Sequence, residues 1–130
     1  MPEISIVVPT FSEVENIAEL HARVSAVLGS ESWELIFVDD DSPDGTADLA
    51  RSLSNQDQRV RCIQRIGRRG LSTAVVEGAL SSSAPYVAVM DADLQHDESI
   101  LPVMLQQLRA RNLDIVVGSR YVAEIGRAHV

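Results

Sequence analysis

Short apolar runs alternate with amphipathic segments along most of the chain. Five runs have the length of a strand and are apolar enough to be buried on both faces: residues 4–8, 33–38, 60–63, 86–90 and 114–117. Strands of this kind, separated by helices, are typical of a largely parallel sheet. The pattern therefore predicts an α/β fold in which helices flank a mostly parallel, Rossmann-like sheet.

Four segments between the runs have helical spacing. In SEVENIAELHARVSAVL, one face carries Val14, Ile17, His21, Val24 and Leu28. Ser12 and Glu15 have the spacing of a capping box, which predicts that this helix begins at Ser12. The other three segments are residues 46–54, 71–82 and 98–111.

Clusters of polar residues follow the apolar runs. In chain order the clusters are PTFSE, DDDSPDGT, QRIGRRG, DADLQHDE and GSRY. The carboxyl ends of parallel strands share one edge of a sheet, and ligands of open α/β sheets bind in the crevice there. We therefore expect five motifs that are far apart in sequence to converge on one site.

The cluster DADLQ has the chemistry of a cation site. Alternate residues of an extended segment point to one side, so Asp91, Asp93 and Gln95 can present three oxygens together. Such oxygens are the ligands that Mg²⁺ and Mn²⁺ prefer. An Asp-x-Asp pair also occurs by chance, and Asp39 with Asp41 forms another one. Its place directly after a strand favours the functional interpretation.

The other clusters offer groups for a nucleotide. Turn chemistry explains residues 42–45 but not Asp39 and Asp40, whose carboxylates can accept hydrogen bonds from a nucleobase or a ribose. Arginine forks suit phosphate oxygens. The arginines that the topology brings to this edge are Arg65, Arg68, Arg69 and Arg120, although Arg68 and Arg69 also fit a solvated loop.

Charge and composition exclude several classes of protein. Nineteen acidic residues against eleven basic ones give a net charge of -8, which argues against a nucleic-acid binder. All basic residues are arginines, so no P-loop, Schiff-base or phosphoacceptor-domain lysine exists here. The single cysteine, Cys62, fits a reducing compartment, and no apolar stretch reaches the roughly 18 residues of a membrane span. These features indicate a cytoplasmic protein.

Together PTFSEVENI, VDDDSPDGT, RRGLSTAVVEGA, MDADLQHD and GSRY resemble family 2 glycosyltransferases of the dolichol-phosphate mannose synthase type, over residues 4–122. The resemblance implies a GT-A fold and transfer of a hexose, with inversion, from a nucleotide-sugar such as GDP-mannose or UDP-glucose. It implies a polyprenyl phosphate acceptor at the cytoplasmic face of a membrane, and Mg²⁺ or Mn²⁺ as cofactor. The nucleotide-sugar contacts that it implies are Pro9, Phe11, Glu13, Val38, Asp39, Asp40, Asp91, Ala92, Asp93 and Arg120.

Within that set the resemblance assigns three catalytic residues, Asp91, Asp93 and Arg120, and makes Gln95 a further metal ligand beside the two aspartates. An ionised lipid phosphate needs no protein base to attack the sugar, so no general base is assigned. A hydroxyl acceptor would need one.

Two departures from the family qualify this interpretation. Ser12 stands where the family usually has asparagine, and the family continues beyond GSRY with segments that complete the acceptor site. The tail, residues 124–130, matches the translation of a sequencing-adapter oligonucleotide, so we expect residues 1–123 to be the truncated GT-A domain and the tail to be non-native.

Alternative functions remain at this stage. One is a non-catalytic nucleotide-binding fragment, and another is a glycosyltransferase that acts on a sugar hydroxyl. An Asp-x-Asp phosphatase and a phosphoacceptor domain each need a lysine, and this chain has none. A dinucleotide-binding Rossmann domain needs Gly-x-Gly-x-x-Gly directly after its first strand, where this chain has PTFSEV.

Overall fold

The computed structural model describes residues 2–94 and 98–111. Strands and helices alternate along them in the order β1 (Ile4–Thr10), α1 (Ile17–Leu28), β2 (Trp33–Asp39), α2 (Thr46–Gln56), β3 (Val60–Gln64), α3 (Leu71–Ser81), β4 (Tyr86–Val89) and α4 (Ile100–Arg111). The predicted α/β class is confirmed, and each observed strand overlaps a predicted one. The fifth predicted strand, residues 114–117, lies outside the described residues.

The four strands form one parallel sheet in the order β3-β2-β1-β4. Its two central strands are buried nearly throughout, because helices cover both faces. On one face Ile6 and its neighbours pack against α1, α2 and α4. On the other face Val7, Ile36 and Val38 pack against Ala74 of α3. Continuous apolar runs, rather than alternating ones, are what this double coverage requires.

The ladder between β1 and β4 is shorter than the ladder between β1 and β2. Pairing with β2 continues to Thr10 opposite Asp39, whereas pairing with β4 ends at Val7 opposite Val89. Pro9 follows on the β4 side, where it has no N–H to donate to the next rung. The two strands therefore separate at Pro9, and the chain after β4 is free to turn.

The predicted start of α1 at Ser12 is wrong, because the helix begins at Ile17. Ser12 has a positive φ of 57°, which no helix position adopts. The backbone N–H groups of Ser12, Glu13 and Val14 donate instead to side chains of the β2–α2 loop and of Thr46, the first residue of α2. These contacts satisfy donors that a helix start would leave unpaired, so residues 12–16 form a loop.

None of the helices in the described part of the chain has both the length and the apolar character needed to cross a membrane.

Candidate functional site

A cavity of about 270 Å³ lies at the carboxyl edge of the sheet. It is bounded by the end of β1 and the segment after it, by the segments that follow β2 and β4, and by the first residue of α3. The lining residues are Pro9, Thr10, Phe11, Glu13, Asp40, Leu71, Asp91, Ala92 and Asp93. Four of the five polar clusters named above thus contribute to this edge or flank it, while the fifth, GSRY, lies outside the described residues.

Two aspartates of the turn after β4 line the cavity. Ala92 is 2% exposed and packs into the main hydrophobic core, whereas Asp93 is exposed and Asp91 partly so. Burial of the middle residue anchors the turn and leaves its two flanking aspartates at the cavity wall. Leu94 then takes a positive φ of 62°, which redirects the chain.

The donor set of this turn fits a hard divalent cation. Within residues 2–94 and 98–111, no group of three or more histidine, cysteine, aspartate or glutamate side chains is arranged to hold a metal ion. Two carboxylates suit Mg²⁺ or Mn²⁺ when water and substrate phosphates complete the coordination. Gln95, predicted as a third ligand, lies outside the described residues, as does Arg120.

Two of the predicted nucleotide contacts lie beneath the cavity instead of lining it. Val38 is fully buried between the sheet and α3. Asp39 is also fully buried, and its carboxylate accepts hydrogen bonds from Thr10 Oγ1 at 2.8 Å and from the N and Oγ of Ser42 at 2.9 and 2.6 Å. Asp39 therefore braces the loops that follow β1 and β2. Its direct contact with a nucleotide stays a prediction.

Asp40 lines the cavity and is bound by Arg65. The guanidinium Nε donates to Asp40 Oδ1 at 2.7 Å, and Nη2 donates to Oδ2 at 3.1 Å. The backbone N–H of Gly70 donates to the same Oδ2 at 2.9 Å. Burial opposes ionisation of Asp40, but these hydrogen bonds from Arg65 and Gly70 outweigh it and hold the pKa of the carboxyl below its usual value.

Arg65 is not available as the phosphate fork that the sequence suggested. The side chain is 1% exposed, and its remaining N–H groups donate to Thr73 Oγ1, Glu77 Oε2 and the Gly70 carbonyl at 2.9, 3.1 and 3.0 Å. With the two bonds to Asp40, all five guanidinium donors are used. That expectation is therefore wrong for Arg65, because the protein itself supplies the acceptors.

The other two arginines of this loop are exposed to solvent, and each contacts a different side chain. Arg68 pairs with Glu77 at 2.7 Å, and the Arg69 guanidinium lies 4.5 Å from the centroid of the Phe11 ring. Phe11 is 44% exposed and lines the cavity, so this stacking brings a positive charge to the cavity rim.

Glu13 lines the cavity from the β1–α1 loop, and its Oε2 accepts a hydrogen bond from Asn16 Nδ2 at 3.0 Å. Sequence reasoning missed Thr10 and Leu71 among the lining residues. Leu71 is 63% exposed at the start of α3. Its position as an apolar residue directly after the GRRG loop was the feature of the sequence that could have indicated a lining role.

The sequence profile described as glycosyl transferase family 2 matches residues 5–129. The chain belongs to this family.

Curated relatives agree with the family assignment. The chain is 40% identical over 120 residues to the dolichol-phosphate mannosyltransferase of Pyrococcus furiosus, an alignment that covers 92% of this chain and 34% of that protein. It is 36% identical over 121 residues to the dodecaprenyl-phosphate galacturonate synthase of Rhizobium johnstonii, covering 91% of this chain and 36% of that protein. The chain thus spans about a third of the length of these family 2 relatives.

The GT-A fold is confirmed by a solved structure. A mannosyltransferase from Pyrobaculum calidifontis, in complex with GDP-Man and Mn²⁺, superimposes with a TM-score of 0.69 at 23% sequence identity. The match covers 82% of this chain and 32% of that chain. At this identity the likeness concerns the fold alone.

Proposed function

We propose that this chain carries the nucleotide-sugar site of an inverting, metal-dependent glycosyltransferase. The enzyme would move a hexose of the mannose or glucose type from a nucleoside diphosphate to a polyprenyl phosphate at the cytoplasmic face of a membrane. The observation that carries the proposal is the placement of Asp91 and Asp93 on the same cavity as Phe11 and Asp40. The names of both curated relatives include a polyprenyl or dolichol phosphate, which supports this class of acceptor.

The sheet order gives the cavity a length that suits the donor. Asp40 follows β2 and Asp91 follows β4, with β1 between them. Since neighbouring strands lie about 4.8 Å apart, the two residues are separated by roughly 10 Å across the edge. A nucleoside diphosphate can therefore lie across the end of β1, with its nucleoside near Asp40 and Phe11 and its diphosphate near Asp91 and Asp93.

Five of the lining residues have a defined role in this arrangement. Asp40 offers the remaining lone pair of Oδ1 to an N–H or O–H of the nucleoside, and Phe11 and Pro9 offer apolar surface beside it. Asp91 and Asp93 would hold the divalent cation, which when bound neutralises charge that develops on the departing diphosphate. Arg120 is proposed to contact the phosphates as well.

The transfer step needs no proton acceptor from the protein. An oxygen of the ionised acceptor phosphate forms a bond to the anomeric carbon while the bond from that carbon to the nucleoside diphosphate breaks. Attack opposite the leaving group inverts the anomeric configuration. The carboxylates at the cavity are therefore assigned to binding and not to general base catalysis.

Calorimetric titration with GDP-mannose and UDP-glucose, with and without Mn²⁺, tests the binding half of the proposal. We expect one of them to bind only when Mn²⁺ is present, and we expect Asp93→Asn to weaken that binding at least about tenfold. Asp48→Asn is the matched control, because Asp48 is a strongly exposed aspartate on α2 and should leave affinity unchanged. Metal-independent binding, or full affinity in Asp93→Asn, would contradict the metal assignment.

A transfer assay separates the remaining possibilities. Polyprenyl phosphate and a free sugar hydroxyl should be offered as competing acceptors to the protein loaded with the donor that binds. We expect any product to be the polyprenyl phosphate ester. Transfer to the hydroxyl alone would support the other glycosyltransferase class, and tight binding without transfer would support a non-catalytic nucleotide binder.

A further inference from the structure

Arg65 is a buried cation, and the free-energy cost of removing its guanidinium from water must be offset by hydrogen bonds and ion pairs. Burial of a guanidinium is unfavourable unless every donor is paired, and an apolar side chain often stabilises such a position better. Arg65 nevertheless reaches 1% exposure with all five donors satisfied. The arrangement fixes orientations more than it adds stability.

The acceptors of Arg65 come from three separate segments. Asp40 follows β2, Gly70 ends the β3–α3 loop, and Thr73 and Glu77 lie in α3. We call Arg65 together with these four residues the Arg65 cluster. The cluster adjoins the cavity twice, through Asp40 itself and through Leu71, the residue after Gly70.

Gly70 shows how tightly the cluster defines the loop. Its φ of 129° and ψ of 138° belong to a region that residues with a Cβ rarely adopt. In this conformation its N–H donates to Asp40 Oδ2 and its carbonyl accepts from Arg65 Nη2. The same glycine thus closes a ring of hydrogen bonds that includes both charged side chains.

We propose that Arg65 is the positioning residue for the nucleoside end of the site. It orients the Asp40 carboxylate and holds the Gly70–Leu71 wall, so that an N–H or O–H donor of a nucleoside meets an acceptor already in place. This inference rests on the proposed function. Since Asp91 and Asp93 lie on the far side of β1, the Arg65 cluster acts on nucleoside recognition and not on binding of the metal and diphosphate.

Arg65→Lys tests the assignment while preserving the charge. A lysine has three donors on one nitrogen and cannot make the two parallel bonds to Asp40 together with those to Gly70 and α3. Binding should be measured for GDP, UDP and pyrophosphate, each with Mn²⁺. For the nucleoside diphosphate that the unchanged protein prefers, we expect affinity to fall at least about tenfold, and for pyrophosphate we expect a change within about twofold.

The comparison between ligands distinguishes positioning from a general loss of structure. Equal losses for the nucleoside diphosphate and for pyrophosphate would overturn the proposal, and so would unchanged affinity for both. Arg23→Lys, a matched change on the exposed side of α1, should alter neither affinity. If the unchanged protein binds no nucleoside diphosphate with Mn²⁺, the proposed function itself fails, and this is evident before any variant is compared.

A second variant keeps the test decisive if Arg65→Lys does not fold. Thr73→Val has nearly the same shape and removes two hydrogen bonds of the cluster, the one that Thr73 Oγ1 accepts from Arg65 Nη1 and the one that it donates to the Gly70 carbonyl at 3.2 Å. We expect it to weaken binding of the nucleoside diphosphate about threefold without changing pyrophosphate binding. Identical affinities for both ligands in Thr73→Val and in the unchanged protein would refute the proposal for Arg65.

Discussion

Gly78 of α3 lies so close to Val7 of β1 that a Cβ on the glycine would stand 2.5 Å from Val7 Cγ1. The same Cβ would lie 3.0 Å from Val38 Cγ2. α3 covers one face of the sheet, and its first residue lines the cavity. The missing side chain at Gly78 therefore sets the distance between this helix and the sheet below it.

We predict that Gly78→Ala destabilises the protein. The overlap with two valines should cost about 1–3 kcal/mol, and the better helix propensity of alanine returns at most about 1 kcal/mol of it. Urea denaturation gives the free energy of unfolding. Ser72→Ala, at an exposed position of the same helix, should not lower stability, and a Gly78→Ala protein at least as stable as its parent would contradict the close packing.

The positive φ of Ser12 leads to a second prediction. A residue without a branched Cβ tolerates this conformation best, so Ser12→Gly or Ser12→Asn should preserve or raise stability, whereas Ser12→Val should lower it by about 1–2 kcal/mol. Thermal unfolding of the three variants provides the ranking. A Ser12→Val protein as stable as the Ser12→Gly protein would contradict the positive φ at this position.

Acid sensitivity should depend on Asp57. The side chain is held by hydrogen bonds from Arg59, with a further contact to His21 Nε2 at 2.8 Å. The Arg59 hydrogen bonds, opposed by burial and aided by His21, bring the pKa of Asp57 well below its usual value. A carboxyl with a depressed folded-state pKa stabilises the fold above its unfolded pKa of about 3.9, and this contribution is lost as the pH falls below that value.

Asp57→Asn should therefore lower the free energy of unfolding at pH 5 by about 1–2 kcal/mol, and the difference from the parent should be smaller at pH 3. Denaturant titrations at the two pH values measure both differences. Asp48→Asn removes a carboxylate whose side chain is 87% exposed and should change stability by less than about 0.5 kcal/mol at either pH. A constant difference for Asp57→Asn would show that its charge is not the stabilising feature.

Cys62 provides a test of packing beneath α2. Its Sγ lies 4.0 Å from the carbonyl of Ala47, and burial raises the pKa of the thiol. Because the thiolate is the reactive form, alkylation of the native protein at pH 7.5 should be at least about tenfold slower than in urea. Equal rates in the two conditions would mean that the thiol is accessible in the native state.

The sequence predicted the sheet well because its signal is local. Runs that are apolar throughout, such as residues 33–38, occur where both faces of a strand are covered, and the observed strand Trp33–Asp39 differs by one residue. The gathering of Asp40 and Asp91 at one edge followed from parallel topology alone. Strand polarity, and not any particular side chain, carried that inference.

The errors arose where distant segments compete for the same polar groups. Ser12 and Glu15 have capping-box spacing, but the side chain of Ser42, thirty residues later, binds the Ser12 N–H instead. Likewise Arg65, Arg68 and Arg69 belong to one short motif, QRIGRRG, and the sequence does not distinguish them. Only the folded chain shows that acceptors on Asp40, Gly70 and α3 take all the N–H groups of Arg65. Pairings of this kind depend on three-dimensional proximity that no short stretch encodes.

Pro9 makes the gap between β1 and the chain after β4 a permanent part of the fold. Because Pro9 has no N–H to donate, the β1–β4 ladder ends at Val7 whatever ligand binds at this edge, and the gap beside β1 is part of the fold. A ligand that enters a preorganised gap spends none of its binding free energy on parting two strands. Affinity at this edge is then governed by the contacts made, and the strand separation persists when lining side chains other than Pro9 are exchanged.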